Sequence, residues 1–407
     1  MTKLRVFILP SWSPTKRLPH AGLFFVNQAE MLAKQKPEWI VGLGLFDFYS
    51  SRMPYNINTL KEFGEAFFSK PRFSSAHTPS GVHAYSVWKP WQRYWLPETL
   101  IEKMSSVLTG HARTMVRAFT KDWGKPHLIH AHAAAPGGAA AVRVGQEMNI
   151  PVVITEHMGP FPWPRHQAPS GHPRPVICEA YEAAKACAAV SSSLAKRLRI
   201  FGLAKEISVI PNVVDQSVFT PGLAARKTDC FSFFCVGGPN VDKGTDTLLR
   251  AFAGLPQNTF LSIAGNTPWM SFYQQLAQEL GINARVQWLG NVPPEQMVFL
   301  YQECDAFVLP SRTESFGVSY VEALMCGKPV IATTCGGPED IVNETNGLLV
   351  KVDDVDGLRS AMLKLCGREM AYCPKTIRDD AVARFGSDSV VKKLENFYLK
   401  VVEPAAS

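Results

Sequence analysis

Short apolar runs alternate with helical spans along almost the whole of this 407-residue sequence. That alternation argues for parallel, doubly wound sheets covered by helices. LRVFIL (Leu4–Leu9) reads as a buried first strand, and the loop SWSPTKRLPHAG follows it. LFFVNQAEMLAKQ (Leu23–Gln35) has helical periodicity, and WIVGLGLF (Trp39–Phe46) is a second strand. HLIHAH (His127–His132), PVVITEH (Pro151–His157) and AAV (Ala188–Val190) are further short strands with helices between them. Residues 50–100, rich in aromatics and prolines, give no clear pattern.

The pattern then restarts. ISVIPNVVD (Ile207–Asp215) and the polar FTPGLAARKTD (Phe219–Asp229) read as a boundary. FSFFCVG, FLSIAG, VQWLG, AFVLP and PVIAT predict five more strands, between Phe231 and Thr333. The length also exceeds one typical core and fits two domains, or three. SVVKKLENFYLKVV (Ser389–Val402) is an amphipathic helix that needs a docking surface.

A hydrophobic content of 46% and a charged content of 19% exclude a disordered chain. All nine cysteines lie beyond Asn149 and none forms a C-x-x-C pair, which argues against a zinc site or disulfide framework. The N-terminus lacks a signal-peptide pattern, and no stretch approaches the ~18 apolar residues of a spanning helix. A cytoplasmic protein is expected. Residues 1–190 carry 21 Lys+Arg against 12 Asp+Glu, whereas the remainder carries 21 against 23. A basic N-terminal half suits an anionic partner, a membrane surface, a phosphorylated acceptor or nucleic acid; a solvated surface is the alternative.

Chemistry concentrates in SRTESFGVSYVE (Ser311–Glu322). A buried strand, a loop and a helix start succeed one another there. That junction is where open α/β sheets bind ligands, and its free N–H groups favour phosphate and hydroxyl oxygens. Glu314 and Glu322 add two hydrogen-bond acceptors for the hydroxyls of a sugar or ribose.

SRTESFGVSYVEA resembles the E-x(7)-E motif of the retaining group 1 glycosyltransferases, also called glycosyltransferase family four. PHAGLFFVNQAEMLA is similar to the family's N-terminal glycine loop, and HLIHAH…PVVITEH to its histidine-ending strands. AVSSSLAKRL…ISVIPNVVD is similar to the interdomain segment, VGGPNVDKGTDTLLRAF to the phosphate-binding lysine motif, and TTCGGPEDIV…NGLLV to the closing part. The resemblance implies a GT-B fold: two Rossmann-like, doubly wound domains facing a cleft. Residues 1–205, joined by a C-terminal helix at about 386–407, would bind the acceptor. Residues 206–385 would bind the nucleotide sugar.

The implied enzyme is a metal-independent hexosyltransferase with no cofactor. It takes a hexose-type sugar from a nucleotide-diphosphate sugar, UDP- or GDP-linked, to an acceptor hydroxyl with retention, in polysaccharide or glycolipid synthesis. Its implied partners are that donor, a sugar or lipid-linked sugar acceptor and the inner face of the membrane, with no nucleic acid. A GT-B phosphorylase and a non-catalytic nucleotide-sugar-binding protein are the alternatives.

Residue by residue, the resemblance implies that Glu322, beginning the helix, accepts from ribose hydroxyls; a first-turn carboxylate favoured by the helix dipole is the alternative. Glu314 would face the transferred sugar and its positive transition state, or simply cap local N–H groups. The backbones of Ser315, Phe316 and Gly317 would contact the same sugar, and Gly317 also suits a turn with positive φ. Lys243 would neutralise the departing diphosphate. Gly22 would let the backbone approach donor or acceptor, and His157 would contact the donor sugar as a catalytic residue. His132, ending the preceding strand, can equally be structural.

One departure stands out. The family pattern has an arginine after the strand-ending glycine, where this chain has Gly238 and Pro239; Arg312 is a candidate substitute. Asp354-Val355-Asp356 suits helix capping better than metal binding. Trp88, Trp91, Tyr94 and Trp95, interleaved with Lys89 and Arg93, suit either an interfacial surface or a packed cluster.

Overall fold

The structure, a computed structural model, describes residues 3–14, 21–48, 72–89, 100–222 and 230–402. The candidate interfacial aromatics from position 90 to 95, and part of the expected boundary segment, lie outside the described residues. The chain divides into two compact units. The first comprises residues 1–190, 194–210 and 391–407, and the second residues 191–193 and 211–390.

The first unit is built on an eight-stranded sheet. Its central strands are β1 (Arg5–Pro10), β2 (Ile40–Phe48), β5 (Leu128–His132) and β6 (Val152–Glu156). β3 (Arg72–His77) and β4 (His83–Lys89) lie at one edge, β7 (Ala186–Ala189) and β8 (Ile207–Val209) at the other. All neighbours pair in parallel except β3 with β4. Parallel strands need both faces covered, and β5 and β6 are accordingly buried throughout, with His130, His132, Thr155 and Glu156 as buried polar members. Among the covering helices are α1 (Leu23–Gln35), α2 (Leu100–Trp123), α3 (Ala139–Met148), α4 (Pro175–Ala183) and α5 (Ser192–Ile200). α2 presents Leu108, Ala112, Met115, Val116 and Phe119, all fully buried, at helical spacing. Phe119 meets Phe7 of β1 edge-on at 5.5 Å. Burying each such ring contributes about 1.5–3 kcal/mol.

The expected division at 205/206 differs from the one observed at 210/211. β8 pairs with β7 and completes the first sheet, so the chain leaves that unit only after it. β3 and β4 fall in the stretch that gave no sequence pattern.

The second unit holds a six-stranded, all-parallel sheet in the order β11-β10-β9-β12-β13-β14. Its strands are β9 (Phe231–Val236), β10 (Thr259–Ala264), β11 (Val286–Gly290), β12 (Ala306–Leu309), β13 (Val330–Thr333) and β14 (Gly347–Val350). Five strands were expected and six are present. β14 is only four residues long, and Gly347 and Leu348 lie in the segment read as a closing motif. The helices are α6 (Thr245–Ala253), α7 (Met270–Glu279), α8 (Pro294–Glu303), α9 (Val318–Met325), α10 (Val355–Cys366) and α11 (Pro374–Phe385).

The terminal helix α12 (Ser387–Val402) starts in the second unit and joins the first from Val391 on. There Leu394 and Tyr398 are fully buried. The Tyr398 hydroxyl lies 2.7 Å from His130 Nδ1, and Lys36 pairs with Glu395 at 2.6 Å. Among the described residues, no helix is long and apolar enough to cross a membrane.

Candidate active site

Strand order fixes where ligands can go. In the second unit the chain steps from β9 outward to β10 and β11, then returns to β12 on the other side. The crevice beyond the carboxyl ends of β9 and β12 is therefore a topological switch point, the usual ligand position of an open α/β sheet. The loop after β9 carries Lys243, and the loop after β12 carries Glu314.

These two side chains meet. The Lys243 ammonium donates to Glu314 Oε1, and Ser311 Oγ donates to the same oxygen at 3.0 Å. The side chains stay 27% and 12% exposed, so both the ammonium and the carboxylate remain reachable from solvent. The Lys243 loop is tightly organised. Asn240 Oδ1 accepts from the Lys243 N–H at 3.0 Å, and Asn240 Nδ2 donates to the Gly238 carbonyl at 3.0 Å. Gly244 follows with φ +63°, and a Cβ there would stand 2.0 Å from the Pro310 carbonyl oxygen. Only glycine permits so close an approach of the two loops.

The Glu314 loop is held from its other side. The Gly337 N–H donates to the Glu314 carbonyl at 2.9 Å, and Ser191 Oγ donates to the Ser315 carbonyl at 2.6 Å. Phe316 is buried against Phe385, ring centroids 5.7 Å apart. Gly317, φ +101°, turns the chain into α9, and Tyr320 packs beneath it with its hydroxyl on the Leu309 carbonyl at 2.6 Å. Among the described residues, the backbone N–H groups of Ser315, Phe316 and Gly317 donate to no acceptor. Unused donors at a helix entrance suit the oxygens of a sugar or phosphate.

Glu322 was expected to begin the helix. α9 instead starts at Val318, which puts Glu322 in its second turn with no acidic residue in the first. The helix-dipole explanation therefore does not apply, because that effect fades beyond the first turn. Its carboxylate accepts from the buried Tyr301 hydroxyl at 2.7 Å. Burial pushes the Glu322 carboxyl up to about 7, while the Tyr301 hydrogen bond pulls in the other direction.

A raised folded-state value favours the protonated form, so this group's contribution to stability is present below about pH 4.5 and lost as pH rises through 7. Glu322→Gln, neutral throughout, should stabilise the chain at pH 8 relative to pH 5 by on the order of 2 kcal/mol. Calorimetric melting at both values checks this; equal effects would contradict it.

The position of the missing arginine is also resolved. Gly238 has φ +73°, and a Cβ would lie 2.9 Å from Thr267 Cγ2. Left-handed backbone of this kind disfavours arginine on steric grounds. Arg312 does not take over as a phosphate clamp. Its guanidinium forks onto Asp246 at 2.9 and 2.8 Å and also meets Asp353 at 2.7 Å. Asp354 caps α10 by accepting from the Gly357 N–H at 2.8 Å, as the capping reading anticipated. The Gly336–Asp340 segment is a short turn in which Glu339 accepts from the Gly336 N–H at 2.5 Å.

In the first unit the switch point lies between β1 and β5. Gly22, φ +70°, opens α1 there, with a Cβ position 2.8 Å from the Trp12 carbonyl oxygen. His132 and His157 are both buried and joined, Nδ1 to Nε2, at 2.8 Å. Burial, then the neighbouring imidazoles, hold His132 well below the usual histidine range, so it is neutral at pH 7. Phe25 packs edge-on against His157 at 4.9 Å. Glu156, not foreseen from the sequence, organises both strand ends. It accepts from the N–H groups of Ala134, His157 and Met158 at 3.1, 2.9 and 2.9 Å, and from the Tyr181 hydroxyl at 2.7 Å.

The fold is GT-B. Sucrose-phosphate synthase from Thermosynechococcus elongatus shares it at a TM-score of 0.75 and 20% identity, over 100% of both chains. The model of the group 1 glycosyl transferases matches residues 225–372, and that of glycosyltransferase family 4 matches residues 93–218. The chain belongs to the group 1 glycosyltransferases of the family four type. A D-inositol 3-phosphate glycosyltransferase of Mycolicibacterium smegmatis is 38% identical over 188 residues, 43% of each chain. A GDP-mannose-dependent alpha-(1-6)-phosphatidylinositol monomannoside mannosyltransferase of the same organism is 30% identical over 181 residues, 40% of this chain and 47% of its own. The matches thus span about half the length of these curated relatives.

Proposed function

We propose that this chain transfers a hexose-type unit from a nucleotide-diphosphate sugar to an acceptor hydroxyl, with retention of configuration and without a metal. The observation that carries this reading is the meeting of Lys243 and Glu314 at the switch point, beside the unused N–H groups of residues 315–317. Lys243 neutralises the diphosphate as it leaves. Glu314 faces the sugar and stabilises positive charge growing at the anomeric carbon. Glu322, with Tyr301 behind it, accepts from the ribose hydroxyls. Ser315, Phe316 and Gly317 offer their backbone N–H groups to the same sugar, His157 contacts the donor sugar, and the backbone at Gly22 approaches the donor phosphate or the acceptor. The departing phosphate oxygen takes the proton of the incoming hydroxyl on the same face of the sugar.

The acceptor we propose is anionic, a phosphorylated polyol or glycolipid headgroup at the cytoplasmic face of a membrane. The basic N-terminal half supports this, as do relatives whose names specify inositol phosphate and phosphatidylinositol mannoside substrates. A thermal-shift panel of UDP, GDP, ADP and their sugars tests the donor side. One nucleotide family at about 100 times its Kd should add about 2.7 kcal/mol of stability. That raises the melting temperature by roughly 5–10 °C. No shift with any nucleotide would contradict the reading.

A further inference from the structure

We propose that Arg312 is a positioning residue, which locks the Lys243 loop to the Glu314 loop so that the ammonium meets the donor diphosphate at a fixed place. This rests on the proposed donor-binding role of the second unit. Arg312 lies two positions before Glu314, on the loop that follows β12. It grips the other loop on both sides of Lys243. Its backbone N–H donates to the Asp242 carbonyl at 2.8 Å, and Nη1 donates to the Val241 carbonyl. Nη1 and Nη2 fork onto the two Asp246 oxygens, and Nη2 also meets Asp353. Asp353 is buttressed in turn by Thr247 Oγ1 at 3.3 Å.

The charges show why this cluster orients a cation and does not clamp phosphate itself. One guanidinium is shared by two carboxylates, so its charge and its donors are already engaged and it has none left for a diphosphate. Asp246 also occupies the first turn of α6 and offsets the anion-attracting end of that helix. Gly238 offers no second cation beside it. The attraction of this loop for a leaving diphosphate therefore depends on where the Lys243 ammonium is held. Fork-to-fork pairing suits the task, because two parallel bonds fix direction as well as distance.

Calorimetric titration separates positioning from plain structural support. UDP, GDP and the matching monophosphates are titrated into wild type, Arg312→Gln, Lys243→Ala and the double variant. Arg312→Gln should weaken diphosphate binding about tenfold and leave the monophosphate nearly unchanged. In the Lys243→Ala background it should have no further effect, because the group it orients is gone. Asp353→Asn, at a side chain 55% exposed, should move diphosphate binding the same way by about threefold, and it carries the same cycle if Arg312→Gln fails to fold. Equal losses for mono- and diphosphate, or full additivity with Lys243→Ala, would overturn the proposal alone. A wild type that binds no nucleotide would overturn it together with the functional reading.

Discussion

Glu314→Gln lowers kcat by roughly 10²–10³-fold while donor affinity changes little. Glutamine keeps the shape of the side chain and its contact with Ser311, but it removes the negative charge that the proposed mechanism sets against the sugar. That charge matters most when positive charge has built up at the anomeric carbon, so its loss falls on the transition state more than on the bound donor. In the empty site the carboxylate also holds the Lys243 ammonium. In the proposed complex the donor diphosphate replaces Glu314 as the counter-ion of that ammonium, so loss of the pair weighs little on donor affinity. Steady-state kinetics with the donor identified by the thermal-shift panel gives the split. A raised KM with unchanged kcat would make Glu314 a binding group only.

Lys243→Ala lowers kcat/KM by roughly 10²-fold or more, and the loss appears in donor binding as well as turnover. In the proposed mechanism its ammonium is attracted by the diphosphate both before and during departure of the leaving group. Gly238 concentrates the effect on this one side chain, because its left-handed backbone disfavours the arginine that the family pattern places there. Nucleoside monophosphate binding is expected to fall much less than diphosphate binding. An unchanged kcat/KM would remove Lys243 from the mechanism.

Much of this was legible in the sequence because parallel strands buried on both faces are largely apolar. The runs containing β1, β5, β6, β9 and β12 therefore stood out. β3 and β8 did not. β3 is exposed along its whole length and β8 is a three-residue edge strand, so neither carries a strong apolar signal. At the site, Lys243 and Glu314 were read from local motifs, yet nothing in the sequence showed that they touch across 71 positions. Tyr301, which supports Glu322, comes from the preceding helix α8, and the Asp246 and Asp353 partners of Arg312 come from two more segments. Such pairings depend on strand order, which local pattern does not encode. Asn240 is different. A polar residue three positions before Lys243, at a loop leading into a helix, is a recognisable capping signal that was available. The placement of Glu322 in the second turn of α9 turned on Gly317, whose positive φ starts the helix earlier than the motif alone suggested.

In the proposed reaction the second unit binds a nucleotide-diphosphate sugar and activates it through Lys243 and Glu314. Release of nucleoside diphosphate from a panel of nucleotide sugars, measured for wild type and for Glu314→Gln at equal donor occupancy, tests it most directly. Wild type should turn over one nucleotide family, and the variant roughly 10²–10³-fold less. Equal release by the two proteins, or donor binding by wild type with no release across a broad acceptor panel, would contradict it.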